Sequence, residues 1–473
     1  MTSTQSRNFL LPLQVLLGLF ITLAIHVFTA CSNSEPASFD IEETDSIHCR
    51  DTNIVVSPSQ KDTSPDLDSI VEIHEFACDT TKEYLPLDDT DYPYAGIPRI
   101  VIETKKHREI KDRETEIPAK LQIWGENAPE SGIMELTIRG RGNTSWDEMP
   151  KKSYKIEFIN KQTMLGMPKD RDWALIANYA DKTLMKNYLA YHLAAEFGVY
   201  YSPKCEFAEI YLNGDYLGVY LLTETIKISP DRIQLPKNSN SYIVEIDGHI
   251  RKGEQFVTSN ILSTNNKIFR IHFPKKANEE ELAIIKNHIY SFETFLSEIK
   301  DSDSTNIEQW IDKEEYIKYY WIQEFIKNTD AAFFTSVYFS WERNSVIKMG
   351  PIWDFDLSLG GHPNEQGNSP YGWCIKYSYW NKYLFKDTVF SASIKNFWQA
   401  NGIQFNSIFN YIDSMALILS KAASNNFKRW NILQSTESRF HKKSFNNYIE
   451  AINVTKDWIY ERKKWIDIHY KEL

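Results

Sequence analysis

The chain has 473 residues, 42% of them hydrophobic and 14% aromatic, with a formal net charge of −11. That length and apolar content hold one large or two ordinary globular domains with a real core. The acidic balance argues against a nucleic-acid partner and says nothing about fold.

At the N-terminus Arg7 precedes the apolar stretch FLLPLQVLLGLFITLAIHVFTAC, which ends in the small residues Thr29 and Ala30 directly before Cys31. Residues 1–30 read as an export signal, with an uncleaved membrane anchor as the alternative. Phe28-Thr29-Ala30-Cys31 is similar to a bacterial lipobox, in which the cysteine is lipidated, so lipid on Cys31 would tether the protein to a membrane. Ser32 after it leans toward the outer membrane of a Gram-negative envelope, periplasmic or surface-facing. Residues 31–92 are rich in Ser, Thr, Asp and Glu, which predicts an acidic polar linker carrying Ser57, Ser59 and Ser64. Four further cysteines, Cys49, Cys78, Cys205 and Cys374, permit disulfides in an exported protein, and both a Cys49–Cys78 and a Cys205–Cys374 pairing are open.

Folded structure is expected from about Pro93, as a domain over 93–473. Short runs RIVIET, AKLQIWG, IMELTIRG and SYKIEF, separated by polar or glycine-containing breaks, predict an antiparallel sheet. DKTLMKNYLAYHLAAEFG then places apolar residues at three- and four-residue steps, with Asp181 as the expected N-cap. EFAEIYLNGDYLGVYLLTE predicts a hairpin about Asn213-Gly214, and strands resume in SYIVEIDG and KIFRIHF. The later half reads as helices in EEELAIIKNHIYSFETFLSEI, in KEEYIKYYWIQEFIKN and from about Met415 onward. A sheet-rich N-terminal lobe over about 93–275 and a mainly helical C-terminal lobe over about 276–473 make a two-lobed α+β layout with a ligand between the lobes.

The segment MGPIWDFDLSLGG interrupts the helical half with two acids. Read as a strand, it puts Asp354 and Asp356 on one side and Trp353, Phe355 and Leu357 on the other. Two carboxylates on one side of an apolar segment point to a cation between or beside them, and magnesium takes one or two carboxylates plus phosphate oxygens and water. The alternative is an edge strand with both acids solvated or salt-bridged. IRGRGNTSW sets Gly140 and Gly142 between strands, flanked by Arg139 and Arg141, which serves either a tight hairpin turn or the approach of backbone amides to phosphate. In KKSYKIEF, Lys152 falls on the face of Tyr154, Ile156 and Phe158, whereas Lys151, Ser153, Lys155 and Glu157 face outward. A lysine on the apolar side needs an anion, unless it reaches solvent at the strand's start. Asp330, just past a helix end in KNTDA, is a capping residue or a base.

Taken in order, RGRGNTSW, PKKSYKIEF, ANYADKTLMKNYLAYHLA, FAEIYLNGDYLGVYLLTE, YIVEID, QEFIKNTDA and GPIWDFDLSLG resemble the spore coat protein H family, the CotH-type kinases, from about Pro93 into the 380s. The resemblance implies an atypical protein kinase-like fold that uses ATP and magnesium to phosphorylate serines of a protein partner. Carried over residue by residue, it makes Asp330 the base that orients the acceptor hydroxyl and Asp354, assisted by Asp356, the metal-binding acid. It also sets Arg141 and Lys152 on phosphates, Glu224 at the lobe hinge beside the nucleotide, and Asp181 against a cation. Thr335 and Ser336 stand where ordinary kinases carry an asparagine for a second metal, and Lys186 stands where the family often has arginine. The competing reading is a non-catalytic envelope or surface-assembly protein on a degenerate kinase-like fold. A carbohydrate-handling protein would rest on the Trp and Tyr content alone.

Overall fold

In a computed structural model, residues 84–125 and 132–473 are described. The export signal, Cys31, Cys49, Cys78 and all but the last residues of the predicted linker lie outside them. Among the described residues no helix is long and apolar enough to cross a membrane.

The chain is mixed α+β, with sheet-rich and helical regions. Strands β1 (Arg99–Thr104), β2 (Ile117–Trp124), β3 (Met134–Arg141), β4 (Ser153–Gln162), β5 (Asp170–Ile176), β6 (Cys205–Leu212) and β7 (Asp215–Glu224) close into a barrel in the order β1-β2-β3-β4-β5-β7-β6. The closing pair is the parallel one, β1 with β6. Closure follows from alternation: Ile100, Ile102, Leu136, Ile138, Ile156, Phe158, Trp173, Leu175, Ile210 and Leu222 all point inward and fill one core. The β6–β7 hairpin turns at Asn213 (φ 53°) and Gly214 (φ 87°), the conformation that Asn-Gly adopts at little cost. Strand β5 escapes prediction because Asp170 and Asp172 dilute its apolar run.

A second sheet follows the order β12-β11-β8-β10-β9, from β8 (Ser241–Ile246), β9 (Gln255–Ser259), β10 (Lys267–Phe273), β11 (Val337–Glu342) and β12 (Lys348–Met349). It therefore combines strands from both sides of the lobe boundary expected near residue 275. Every residue of β8 is buried, as suits a central strand covered on both faces. The second sheet shares a large core with helices α1 (Lys186–Glu196), α2 (Glu279–Glu298), α3 (Lys313–Ile326), α4 (Thr388–Asn401), α5 (Ser407–Arg429) and α6 (Tyr448–His469).

Asp181 does not occupy the N-cap of α1; Met185 does, without a side-chain cap. Asp181 instead closes the preceding turn, accepting from Thr183 N (2.8 Å), Thr183 Oγ1 (2.6 Å) and the helix's first amide, Lys186 N (2.8 Å). Cys205 and Cys374 are free thiols, so the pairing left open between them is not made.

Helix α5 docks on the barrel through Asn426, whose Oδ1 accepts from Val219 N (3.1 Å) and from Lys151 Nζ (2.9 Å). Lys151, expected to face outward, is fully buried beneath this helix, and burial depresses its pKa. The close approach needs Gly218 (φ 93°), where a Cβ would stand 2.4 Å from Asn426 Oδ1. Gly218→Ala is expected to cost about 3 kcal/mol, from left-handed backbone strain plus the clash with an anchored amide. A denaturant midpoint equal to wild type would refute this account of the docking.

Candidate active site

A cleft of about 850 Å³ opens between the barrel and the second sheet. Its walls are the strands β3 to β5, with Arg141, Ser153, Lys155 and Asp172, and one face of the inner strands β8 and β10 of the second sheet, with Glu245, Arg270 and His272, and Asp247 just past β8. The segments Asp330–Ser336 and Trp353–Leu357 complete it.

Asp330, Asp354 and Asp356 line this one cleft. The run from Ile352 to Leu357 is not a strand but an irregular loop, with Asp354 in the left-handed region at φ 66°. The apolar and acidic residues still separate. Trp353 and Phe355 are buried against Tyr191 of α1, with ring centroids at 5.9 and 6.0 Å, and the acids face the cleft. Trp353 and Leu357, both expected on the apolar side, also line the cleft. Asp354 is enclosed by protein at the cleft's floor yet open to solvent along it.

The electrostatics of the three acids are mutually reinforcing. Burial pushes the Asp330 carboxyl up to about 7, helped by Asp354 and Asp247 and opposed by His249. Burial and the neighbouring Asp354 likewise push Asp356 up to about 7, against a hydrogen bond from Asn187 and the charge of Lys186. Asp354 is also raised by burial, with Arg141 and the Ser336 hydroxyl (3.4 Å) restraining the shift. Among the described residues none of the three carboxylates has a lysine or arginine within ion-pair distance. Nor does any group of three or more His, Cys, Asp or Glu side chains form a ready metal site there. Two carboxylates without cation partners fit magnesium, which draws its remaining ligands from phosphate and water.

Arg141 lines the cleft, its guanidinium 5.2 Å from the centre of the Trp353 ring. The glycine stretch is not a tight hairpin: after Gly142 (φ 98°) a helical turn, Thr144–Asp147, intervenes before β4. A Cβ on Gly140 would fall 2.3 Å from the Trp146 ring, so the turn folds only around glycine. Its Gly142 carbonyl accepts from Arg113 (2.7 Å) and from Arg251 (3.0 Å), the latter reaching across from the second sheet.

The other resemblance-based assignments lie away from the cleft lining. Lys152 donates to the Trp146 carbonyl at the barrel's end. Glu224 is fully buried and accepts from Tyr201 OH (3.0 Å) and Lys204 N (3.0 Å), while the residues after it, Thr225 to Ile228, are the ones in the cleft. Asp181 is spent on its own turn. The lysine of β4 that faces the cleft is Lys155, bonded to Asp172 (2.9 Å) and Glu157 (3.0 Å). Asp172 also takes Lys227, and these two lysines outweigh its burial and hold its pKa down.

Sequence reasoning missed the second-sheet wall. On it, burial would raise Glu245, but His272 (2.7 Å), Arg270 and Tyr338 overcome that and hold it down to about 2. Alternating charges in YIVEID and KIFRIHF carried this signal. Also missed was the connection between α5 and α6, which straps the glycine turn. Arg439 makes a two-pronged bond to Glu148 (2.8 and 2.6 Å), and Phe440 packs against Met149 and Ala180. Lys182 donates to the carbonyls of Leu433 (3.0 Å), Ser435 (2.7 Å) and Lys443 (2.5 Å), and burial lowers it to about 8.

A family model described as CotH kinase protein matches residues 138–466, well over half of the chain. Inner spore coat protein H of Bacillus subtilis (strain 168) is 26% identical over 254 residues, which cover 51% of this chain and 65% of that protein. The chain thus spans about 65% of the length of this curated relative. On the family match, which takes in the glycine turn, the three acids and the strap, this chain belongs to the CotH kinase protein family.

Proposed function

We propose that the protein is a CotH-type kinase that moves a phosphoryl group from ATP to serine or threonine of a serine-rich protein partner. The observation that carries this is the meeting of Asp330, Asp354 and Asp356 in one cleft, with no lysine or arginine within ion-pair distance among the described residues and with Arg141 among the lining residues. In this reading the barrel acts as the N-terminal lobe of a kinase-like fold, and the helices as the C-terminal lobe.

Asp330, poised near neutrality, orients the acceptor hydroxyl and takes its proton as the new O–P bond forms and the bond to the β-phosphate breaks. Asp354 and Asp356 would hold magnesium, which supplies neutralisation of phosphate charge when bound. Arg141, whose guanidinium has no carboxylate within ion-pair distance among the described residues, adds a fixed positive charge at the phosphates. Lys155, rather than Lys152, is the β4 lysine able to act on that side.

We extend the proposal to location: export through residues 1–30 and lipid on Cys31, holding the kinase on the cell envelope, toward the outer membrane, with no nucleic-acid partner. Radiolabelled palmitate would enter wild type and not Cys31→Ser. The central test is calorimetry of the full chain with ATP, with and without magnesium, beside transfer of the γ-phosphoryl to a serine-rich protein. Metal-dependent binding is expected; a folded chain that binds no nucleotide overturns the reading and leaves an envelope assembly module.

A further inference from the structure

Asp354 is a non-glycine residue in left-handed backbone, a conformation that persists only where its surroundings over-determine it. Both polar ends of its outgoing peptide are gripped by asparagine side chains from different elements. The Asp354 carbonyl accepts from Asn328 Nδ2 (3.2 Å), just past the end of α3. The Phe355 N–H on the same peptide donates to Asn187 Oδ1 (2.9 Å), in the first turn of α1. Each asparagine spends its other end on another of the three acids. Asn328 Oδ1 accepts from the backbone amide of Asp330 (3.2 Å), and Asn187 Nδ2 donates to the Asp356 carboxylate. Asn187 Nδ2 also reaches Asn178 Oδ1 (3.3 Å), and both asparagines are buried.

We propose that Asn187 and Asn328 are positioning residues that clamp the Asp354–Phe355 peptide and thereby fix the three acids in register. The path runs unbroken from the amide of Asp330, through Asn328, the peptide and Asn187, to the carboxylate of Asp356. Removing either asparagine frees the peptide to leave the left-handed region, and the Asp354 carboxylate turns with it. The proposal rests on the kinase reading for what the acids do, but the clamp itself is a statement about one backbone conformation.

The test is a double-mutant cycle on the full chain, free of metal. Asn187→Ala and Asn328→Ala are each made with Asp354 intact and with Asp354→Gly, and urea unfolding is measured. A clamp that enforces φ 66° holds strain beside Asp354 and none beside glycine, which adopts that backbone freely. Each alanine should therefore lower the folding equilibrium constant about tenfold beside glycine, through an unpaired buried peptide group. Beside Asp354 the loss should shrink to about twofold, because release of the left-handed strain offsets it. Equal losses in both backgrounds overturn the proposal. Should the alanine variants not fold, Asn187→Ser and Asn328→Ser enter the same cycle. A second readout is the Mn²⁺ affinity of the full chain in the presence of ATP, expected to fall at least tenfold in each single variant. Unchanged affinity in both overturns the clamp, whereas wild type that binds no Mn²⁺–ATP, with coupling in the cycle intact, overturns only the kinase reading.

Discussion

Asp354→Ala is expected to reduce phosphoryl transfer about 10³-fold or more while the protein becomes more resistant to heat in metal-free buffer. The two effects share a cause. In the proposed kinase the carboxylate would supply fixed negative charge to hold magnesium, a contribution of several kcal/mol to the transition state. Without a cation that same charge raises the pKa of Asp330 and Asp356 and has no cation partner among the described residues. Deleting it relieves both neighbours of that charge. Single-turnover transfer and a thermal melt in chelator read the two arms. Lost transfer with a lowered melting temperature would show that Asp354 serves the fold before the chemistry.

Asp330→Asn gives the second large effect, in the pH dependence of stability. Burial, with Asp354 and Asp247 beside it, pushes the folded carboxyl up to about 7, well above an ordinary aspartate at about 4. Protonated below pH 4 in both states, it costs nothing there. As pH rises the unfolded chain ionises first, so the folded state loses stability progressively until about 7 and stays at the lower level above it. With allowance for the solvent that reaches this group, the loss is on the order of 2 kcal/mol. Metal-free urea midpoints from pH 4 to pH 8 should fall in wild type and stay flatter in Asp330→Asn, which ends the more stable protein at pH 8. Parallel curves would mean that Asp330 is ionised at neutral pH and is no poised base.

The acids were legible because their chemistry conflicts with their company: a carboxylate amid Ile352, Trp353 and Phe355 demands a reason. Helices α1 to α3 were legible by their period, and the β6–β7 hairpin by its Asn-Gly. What escaped was orientation. Period two sorts β4 correctly, with Tyr154, Ile156 and Phe158 inside the barrel, but only the packing of the second sheet shows that the outer face, with Lys155, lines the cleft. The alternation in IWDFDL mimics a strand because Trp353 and Phe355 plug into α1, although no ladder forms. Glu224 lies buried one residue before the chain enters the cleft at Thr225. The clamp asparagines carry no sequence signal, since an amide reads like any polar residue until its two ends are seen to reach different partners.

The strap between α5 and α6 sets an order of events in biosynthesis. Glu148 and Met149 emerge from the ribosome early, yet Arg439, which holds Glu148, follows it by 291 residues. A nascent chain carries all three acids well before it can secure the glycine turn above them. The glycine turn is therefore secured only after the connection between α5 and α6 has emerged, and a product truncated before Arg439 leaves that turn unstrapped.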